Sequence, residues 1–240
     1  MAQDRHIPDA SVVLLAGGSG HRFGGSIPKQ FLTAMRDEDH ECSVLELPIR
    51  AYSEHDRIES IIVVCHADFL SHARAICQDY PKVTQFFSGG ASRQESSCIG
   101  VKAVTTPYVF IQDAARPLVR TGAIEECFAL LDAGEWNINT VLPQTSSMVV
   151  LNGDGRMIGS SRREGLAAGQ CPQVFVTDMI RGAQAEAVRK GTAFHDECTM
   201  LLEYCPGSSA ATIMGAPSGL KITVPEDLEV VQFYLENRRA

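Results

Sequence analysis

The stretch Ser11 to Gln30, SVVLLAGGSGHRFGGSIPKQ, limits what this chain can become more than any other. Val12 to Ala16 is an unbroken apolar run followed by glycines, which reads as a strand buried on both faces of a parallel sheet. Five glycines then fall within nine residues, at Gly17, Gly18, Gly20, Gly24 and Gly25. Glycine lets the backbone turn sharply and offer successive N–H groups to an anion with no Cβ in the way. With His21, Arg22 and Lys29 as the basic side chains of the segment, the loop suits a phosphate.

Two common phosphate loops do not fit. A Walker loop places Gly-Lys-Ser/Thr at the start of a helix, whereas Lys29 follows a proline, well past the glycines. A dinucleotide fingerprint wants an acidic residue roughly 20 positions on at a strand end, and the acidic run from Asp37 to Glu41 sits in a polar segment. A tight turn beside a solvated lysine would explain the glycines but not Arg22 together with Pro28-Lys29-Gln30. The signature AGG-x-G-x-R-[FM]-x-x-x-x-PKQ resembles the opening of nucleotidyltransferases that load an activated sugar or alditol phosphate onto a nucleotide. The resemblance implies that Ala16, Gly17, Gly18 and Gly20 wrap the nucleotide while Arg22 and Lys29 neutralise triphosphate charge.

The 240 residues suffice for one large α/β domain with a full core, and nothing forces a second. A net charge of −8 argues against general nucleic-acid binding, which needs a basic face to displace counterions. A local basic pocket can still hold small anions. No apolar run approaches the ~20 residues of a membrane span, and MAQDRHIPDA lacks the apolar core of a signal peptide, so the expectation is a cytoplasmic protein. The eight cysteines include no C-x-x-C pair and several lie in apolar runs, which reads as reduced core thiols without disulfide or zinc.

Strand and helix signals alternate along the chain. Ile58 to Cys65, Val83 to Phe87, Tyr108 to Gln112, Ile138 to Leu142 and Ala210 to Met214 read as strands. Val44 to Ser53, Ala67 to Asp79, Thr121 to Ala133 and Thr177 to Lys190 read as helices. The polar run Arg36 to Ser43 reads as a surface excursion that adds nothing to a core. This order predicts an α/β fold: a Rossmann-like, mostly parallel sheet with helices on both faces and ligands at the carboxyl ends of its strands. Ser92-Arg93-Gln94-Glu95 has the form of a capping box, so a helix starts there with its positive end toward that edge. Thr223 to Glu226 has the same form, with a proline in the first turn.

At Asp113-Ala114-Ala115-Arg116-Pro117 the resemblance narrows. D-A-A-R-P after a glycine loop with PKQ is similar to the 2-C-methyl-D-erythritol 4-phosphate cytidylyltransferase family, whose relatives include ribitol 5-phosphate cytidylyltransferases. It implies the nucleotide-diphospho-sugar transferase type of fold and a CMP transfer from CTP to a polyol phosphate, with Mg²⁺ as cofactor held by Asp113. A carboxylate at the end of a central strand suits that metal role, and a strand-end Asp–Arg ion pair is the plainer alternative. The resemblance further implies that Gly89, Gly90, Arg93 and Ser96 hold the cytosine and ribose. By the same resemblance, Lys221, before T-V-P-E-D-L, would face acceptor phosphate and nucleotide, and Arg116 would reach the acceptor's phosphate.

From Pro143 to Phe175 the α/β rhythm breaks. Val149 to Leu151, a turn at Asn152-Gly153-Asp154-Gly155, then Met157 and Ile158 suggest a β-hairpin. In the resembled family an arm of this kind clasps a second subunit and gives an arginine to its acceptor site. Residues 144–174 are thus expected to be a dimerisation arm on a single domain spanning 1–240, with Arg163 as that arginine and Arg162 the adjacent alternative. An isolated hairpin is marginal in water, so a homodimer follows.

The acceptor side departs from the family pattern. Leu142 to Ser147 replaces V-P-V-[KR]-D-T, Cys171 stands for a threonine before P-Q, and His195 for a threonine before D-[DE]-A-S, of which Asp196 and Glu197 remain. Gly169-Gln170 before C-P-Q resembles the ribitol enzymes, which keeps ribitol 5-phosphate open as acceptor. A non-catalytic CTP-binding protein is the alternative outside enzymes. The chain shows cations and a carboxylate but no nucleophile–histidine pair, as suits phosphoryl chemistry run by positioning and charge.

Overall fold

The computed structural model describes residues 9–18, 27–36 and 41–237. Gly20 and Arg22, with most of the glycine loop, lie outside the described residues. Eleven strands are present among the described residues: β1 (Ala10–Ala16), β2 (Thr33–Arg36), β3 (Glu41–Ser43), β4 (Ile58–Cys65), β5 (Val83–Ser88), β6 (Tyr108–Asp113), β7 (Asn137–Pro143), β8 (Met148–Leu151), β9 (Met157–Ser161), β10 (Ala167–Val176) and β11 (Ala211–Met214). Seven of them form one sheet in the order β11-β7-β10-β6-β1-β4-β5.

In that sheet β1 pairs in parallel with β4 and β6, and β4 with β5. Between β6 and β4 lies β1, whose apolar run is buried at every residue. Val12 and Leu14 face one side, packing with Ile49 and Tyr52 of α1 (Glu46–Ser53), Ala73 of α2 (Leu70–Ile76) and Ile124 and Phe128 of α4 (Thr121–Asp132). Val13 and Leu15 face the other, with Val101 of α3 (Arg93–Ala103), Ile180 of α5 (Thr177–Lys190) and Leu201 of α6 (Glu197–Tyr204). The continuous apolar run is thus a period-2 pattern with both faces covered, the mark of a strand between helix layers.

α5 begins and ends where periodicity placed it, closing on Gly191 in the left-handed region. A third, smaller core joins Ala34, Val44, Leu118 and Ile222 to Val231 of α7 (Pro225–Asn237).

Three expectations need correction. The 36–43 excursion is not wholly outside the core, because Glu41–Ser43 forms β3 against β2 and Cys42 is 0% exposed in its interior. A run of acidic residues hid one short edge pairing. The segment 144–174 divides: β8 and β9 form a separate hairpin, but β10 crosses into the main sheet. Gln173 to Val176 pair antiparallel with β6, and Ala167 to Gly169 with the outer end of β7. The sheet therefore has a lone antiparallel strand between two parallel sets. At the last helix, Asp227 rather than Glu226 reaches back, its Oδ2 accepting from the amides of Thr223 (2.6 Å) and Val224 (2.9 Å).

The box at Ser92 closes with a shifted return contact. Ser92 Oγ accepts from Glu95 N at 3.0 Å, and Glu95 Oε2 accepts from Ala91 N at 2.8 Å.

Candidate active site

The connections leaving β1 and entering β6 run to opposite sides of the sheet, so their adjacent carboxyl ends leave a crevice. There a cavity of about 340 Å³ is lined by Ala16, Gly17, Gly18, Lys29, Gly90, Arg93, Ser96, Asp113 and Lys221. Of the described residues expected on the nucleotide side, all but Gly89 therefore line one space. So do Lys221 and Asp113.

Local contacts explain how each is held. Lys29 sits on a single 3₁₀ turn after Pro28, and the next residue anchors it: buried Gln30 donates through Nε2 to the carbonyls of Ala16 (2.5 Å) and Gly18 (3.1 Å). The glutamine of PKQ is thus a strut to the glycine loop, a role missed in the sequence although its place in the motif was the signal. Ser96, one turn into α3, donates to Ser92 O (2.9 Å) and accepts from Gly90 N (3.1 Å), pinning the Gly89-Gly90 turn over the helix start. Its hydroxyl is committed to that turn.

Asp113 ends β6 between two cations. Arg93 Nε lies 3.0 Å from Oδ1, and Lys221 Nζ lies 2.6 Å from Oδ2. Burial alone would raise the Asp113 pKa, but Arg93 and Lys221 overcome it and hold the carboxyl down to about 2. Arg93 in turn gives Nη1 to Glu197, at 2.8 Å from Oε2, and Glu197 is 1% exposed. Burial works against the guanidinium charge, yet Glu197 and Asp113 together raise its pKa above the ordinary arginine value. The result is an alternating row, Lys221–Asp113–Arg93–Glu197. The strand-end pair is therefore Asp113 with Arg93, not with Arg116.

A second cavity of about 250 Å³ shares Arg93, Asp113 and Lys221 with the first and adds Arg116, Gln170, Cys171, Gln173, His195 and Asp196. Arg116, Cys171 and His195, expected on the acceptor side, are brought together here. Arg116 donates to Gly219 O (2.7 Å) and Gly169 O (3.1 Å), and its buried Nε has no hydrogen-bond partner among the described residues. Cys171 precedes a cis peptide to Pro172, and burial pushes its thiol up to about 11, so it serves as a neutral wall. Arg163 is elsewhere in the chain: it lines a separate groove with Pro143 and Leu166 and donates to Thr145 O at 3.1 Å.

Two abutting cavities at a sheet switch point, one walled by Gly17 and Gly18 and both by shared cations, define a nucleotidyltransferase of α/β class. The family model of 2-C-methyl-D-erythritol 4-phosphate cytidylyltransferase (IspD) matches residues 10–237. The chain belongs to that family.

It is 32% identical over 238 residues to the 2-C-methyl-D-erythritol 4-phosphate cytidylyltransferase of Thermobifida fusca (strain YX), covering 95% of this chain and 94% of that one. It is also 28% identical to the bifunctional ribulose 5-phosphate reductase/CDP-ribitol pyrophosphorylase Bcs1 of Haemophilus influenzae, over 94% of this chain and 48% of that protein. The crystal structure of 4-diphosphocytidyl-2C-methyl-D-erythritol synthase from Anaerococcus prevotii shares the fold, with a TM-score of 0.81, 20% identity, and coverage of 95% of this chain and 98% of that one.

Proposed function

We propose that the protein transfers CMP from CTP to 2-C-methyl-D-erythritol 4-phosphate and releases pyrophosphate, a step of isoprenoid precursor synthesis. The observation that carries this reading is Lys221 at the wall common to both cavities, 2.6 Å from Asp113, with Arg93 on the other side of the same carboxylate. CTP occupies the larger cavity, its triphosphate along the glycine loop beside Lys29. The acceptor occupies the smaller one, its phosphate toward Arg116 and Lys221.

A phosphate monoester is already an anion at neutral pH, so attack on the α-phosphorus needs no general base. The obstacle is repulsion between two anions, and preorganised cations lower it by stabilising the charge that crowds together in the transition state. Arg22 and Lys29 act on the triphosphate, and Lys221 acts where the two substrates meet.

Asp113 fits a Mg²⁺ ligand. It stays ionised, keeps lone pairs beyond the two its cations use, and stands as a single carboxylate, as in sites where substrate phosphates and water complete the shell. Bound there, the metal would neutralise and orient triphosphate oxygens.

The hairpin β8–β9 supports a homodimer. Met148, Val149, Val150, Leu151, Met157 and Ile158 are all exposed on it, Ile158 by 65%, more apolar surface than a two-stranded ribbon keeps in water alone. Arg163, which lines a groove apart from its own acceptor cavity, would reach the partner's acceptor site. The eight free cysteines, six of them buried, suit a reducing cytoplasm, and among the described residues no helix is long and apolar enough to cross a membrane.

Likeness to a protein named for CDP-ribitol formation favours ribitol 5-phosphate as the second acceptor to try. Incubation with Mg-CTP and a panel of polyol phosphates, read as pyrophosphate release, tests the proposal. Release with the methylerythritol phosphate is expected. Release with ribitol 5-phosphate alone would move the acceptor, and CTP binding without release from any acceptor would make the protein a nucleotide binder.

A further inference from the structure

We infer that Gln170 is a positioning residue for Lys221, an inference that rests on the proposed transfer and adds to it a part in holding the shared lysine. Gln170 is 8% exposed, at the floor of the acceptor cavity. Its Oε1 accepts from Ala216 N at 3.1 Å and its Nε2 donates to Ala216 O at 2.9 Å, so the side-chain amide pairs with one residue's backbone as a neighbouring strand would.

The fit on either side is tight. A Cβ on Gly215 would fall 2.2 Å from Gln170 Oε1, and one on Gly219 would fall 2.7 Å from it, so the amide lies between two backbones that come close only because both are glycine. Neither glycine has a positive φ, so the lack of a side chain there answers to Gln170 and not to backbone conformation.

This clamp holds the segment that carries the shared lysine. Ala216 opens the 3₁₀ turn Pro217–Gly219, Gly219 O is gripped by Arg116, and Ile222 N bonds to Ala115 O at 2.8 Å. Lys221 leaves the chain between those last two ties. With the amide removed, the turn loses both side-chain bonds at Ala216 and keeps only its internal one from Gly219 N (2.9 Å), and the ammonium no longer sits at a fixed place against Asp113. A shift of about 1 Å in such a group is enough to cost on the order of a hundredfold in rate.

The test is a cycle of Gln170→Ala, Gly219→Ala and the double variant, each followed by steady-state kinetics, thermal melting and backbone amide exchange across 215–222. Gln170→Ala is expected to lower kcat at least tenfold with KM for CTP within threefold and to speed exchange at Ala216. Gly219→Ala is expected to lower kcat in the parent by driving the amide out, yet to cost nothing further once Gln170 is alanine, because the atom it strikes is gone. A drop in kcat that merely tracks melting temperature, or a Gln170→Ala enzyme within threefold of the parent, overturns the inference. So do additive losses in the double variant. If Gln170→Ala does not fold, Gly219→Ala alone decides by the same kcat and exchange criteria. If the parent releases no pyrophosphate with any acceptor, the proposed transfer fails by itself, and unchanged or faster exchange at Ala216 still rejects or upholds the clamp.

Discussion

Arg93 Nη1 and Glu197 Oε2 lie 2.8 Å apart although 104 residues separate them, and the contact joins the first turn of α3 to that of α6. Glu197 is the buried member, 1% exposed, so removing Arg93 would leave a buried carboxyl without this partner. Removing one partner of a buried pair typically costs about 3–5 kcal/mol, and the 30% exposure of Arg93 moves the expectation to the lower part of that range or below. Arg93→Ala should lower the urea midpoint clearly with an unchanged m-value. Glu197→Gln, which keeps the shape and loses the charge, should lower it less.

Asp113 gives an acid-side signature. Its folded pKa, about 2, lies below the unfolded reference of 3.8, so the carboxylate stabilises the fold above pH 4 and that contribution disappears as pH falls from 4 towards 2. The shift corresponds to roughly 2 kcal/mol. Stability measured from pH 5 to pH 2 should fall less steeply in Asp113→Asn than in the parent. Equal slopes would show that the carboxylate does not titrate as the two cations dictate.

Ser96→Ala removes a hydroxyl that bonds Gly90 N and Ser92 O. The expected loss is about 1–2 kcal/mol for the unsatisfied groups, together with a several-fold rise in KM for CTP as the turn loosens. Unchanged KM would separate this turn from the nucleotide.

Lys29→Ala and Lys221→Ala should each cut kcat by about a hundredfold or more while leaving the fold intact, since loss of one electrostatic donor to a transition state has that size; Lys221→Ala should also lower the melting temperature, because buried Asp113 loses its partner at 2.6 Å. Chelation should halt pyrophosphate release and added Mg²⁺ restore it. Near-normal turnover in both lysine variants would remove them from catalysis.

Ile158→Glu on the exposed face of β9 should shift sedimentation from dimer to monomer and lower turnover, and Arg163→Ala should lower turnover while leaving the dimer intact. A monomeric parent would sink both expectations.

Much of this was legible in the chain. The runs at Val12–Ala16, Ile58–Cys65 and Tyr108–Gln112 announced buried parallel strands, and the glycine loop with Lys29 and Asp113 announced the crevice, because each depends on residues adjacent in sequence. What escaped was long-range or polar. Nothing near Gln170 points to Ala216, and nothing near Glu197 points to Arg93, since those bonds exist only once the sheet brings 46 or 104 residues together. From sequence β10 reads as part of the arm, because Gly169-Gln170-Cys171-Pro172 breaks its apolar pattern and its inner half opens with a buried glutamine, Gln173, before Val174 and Phe175. β3 was hidden by acidic neighbours whose charge says nothing of the cysteine beside them.

The reversed strand β10 also sets an order of assembly. β7 leaves the ribosome before β10 does, yet it joins the growing sheet only through β10, and β11 joins only through β7. The set β5-β4-β1-β6 can close as soon as its last strand emerges, while β7 waits unpaired through the synthesis of the hairpin. The walls that β1, α3 and β6 give the nucleotide cavity are therefore made first, but Lys221, the lysine both cavities share, comes last, so neither half of the crevice is complete until the end of the chain is in place.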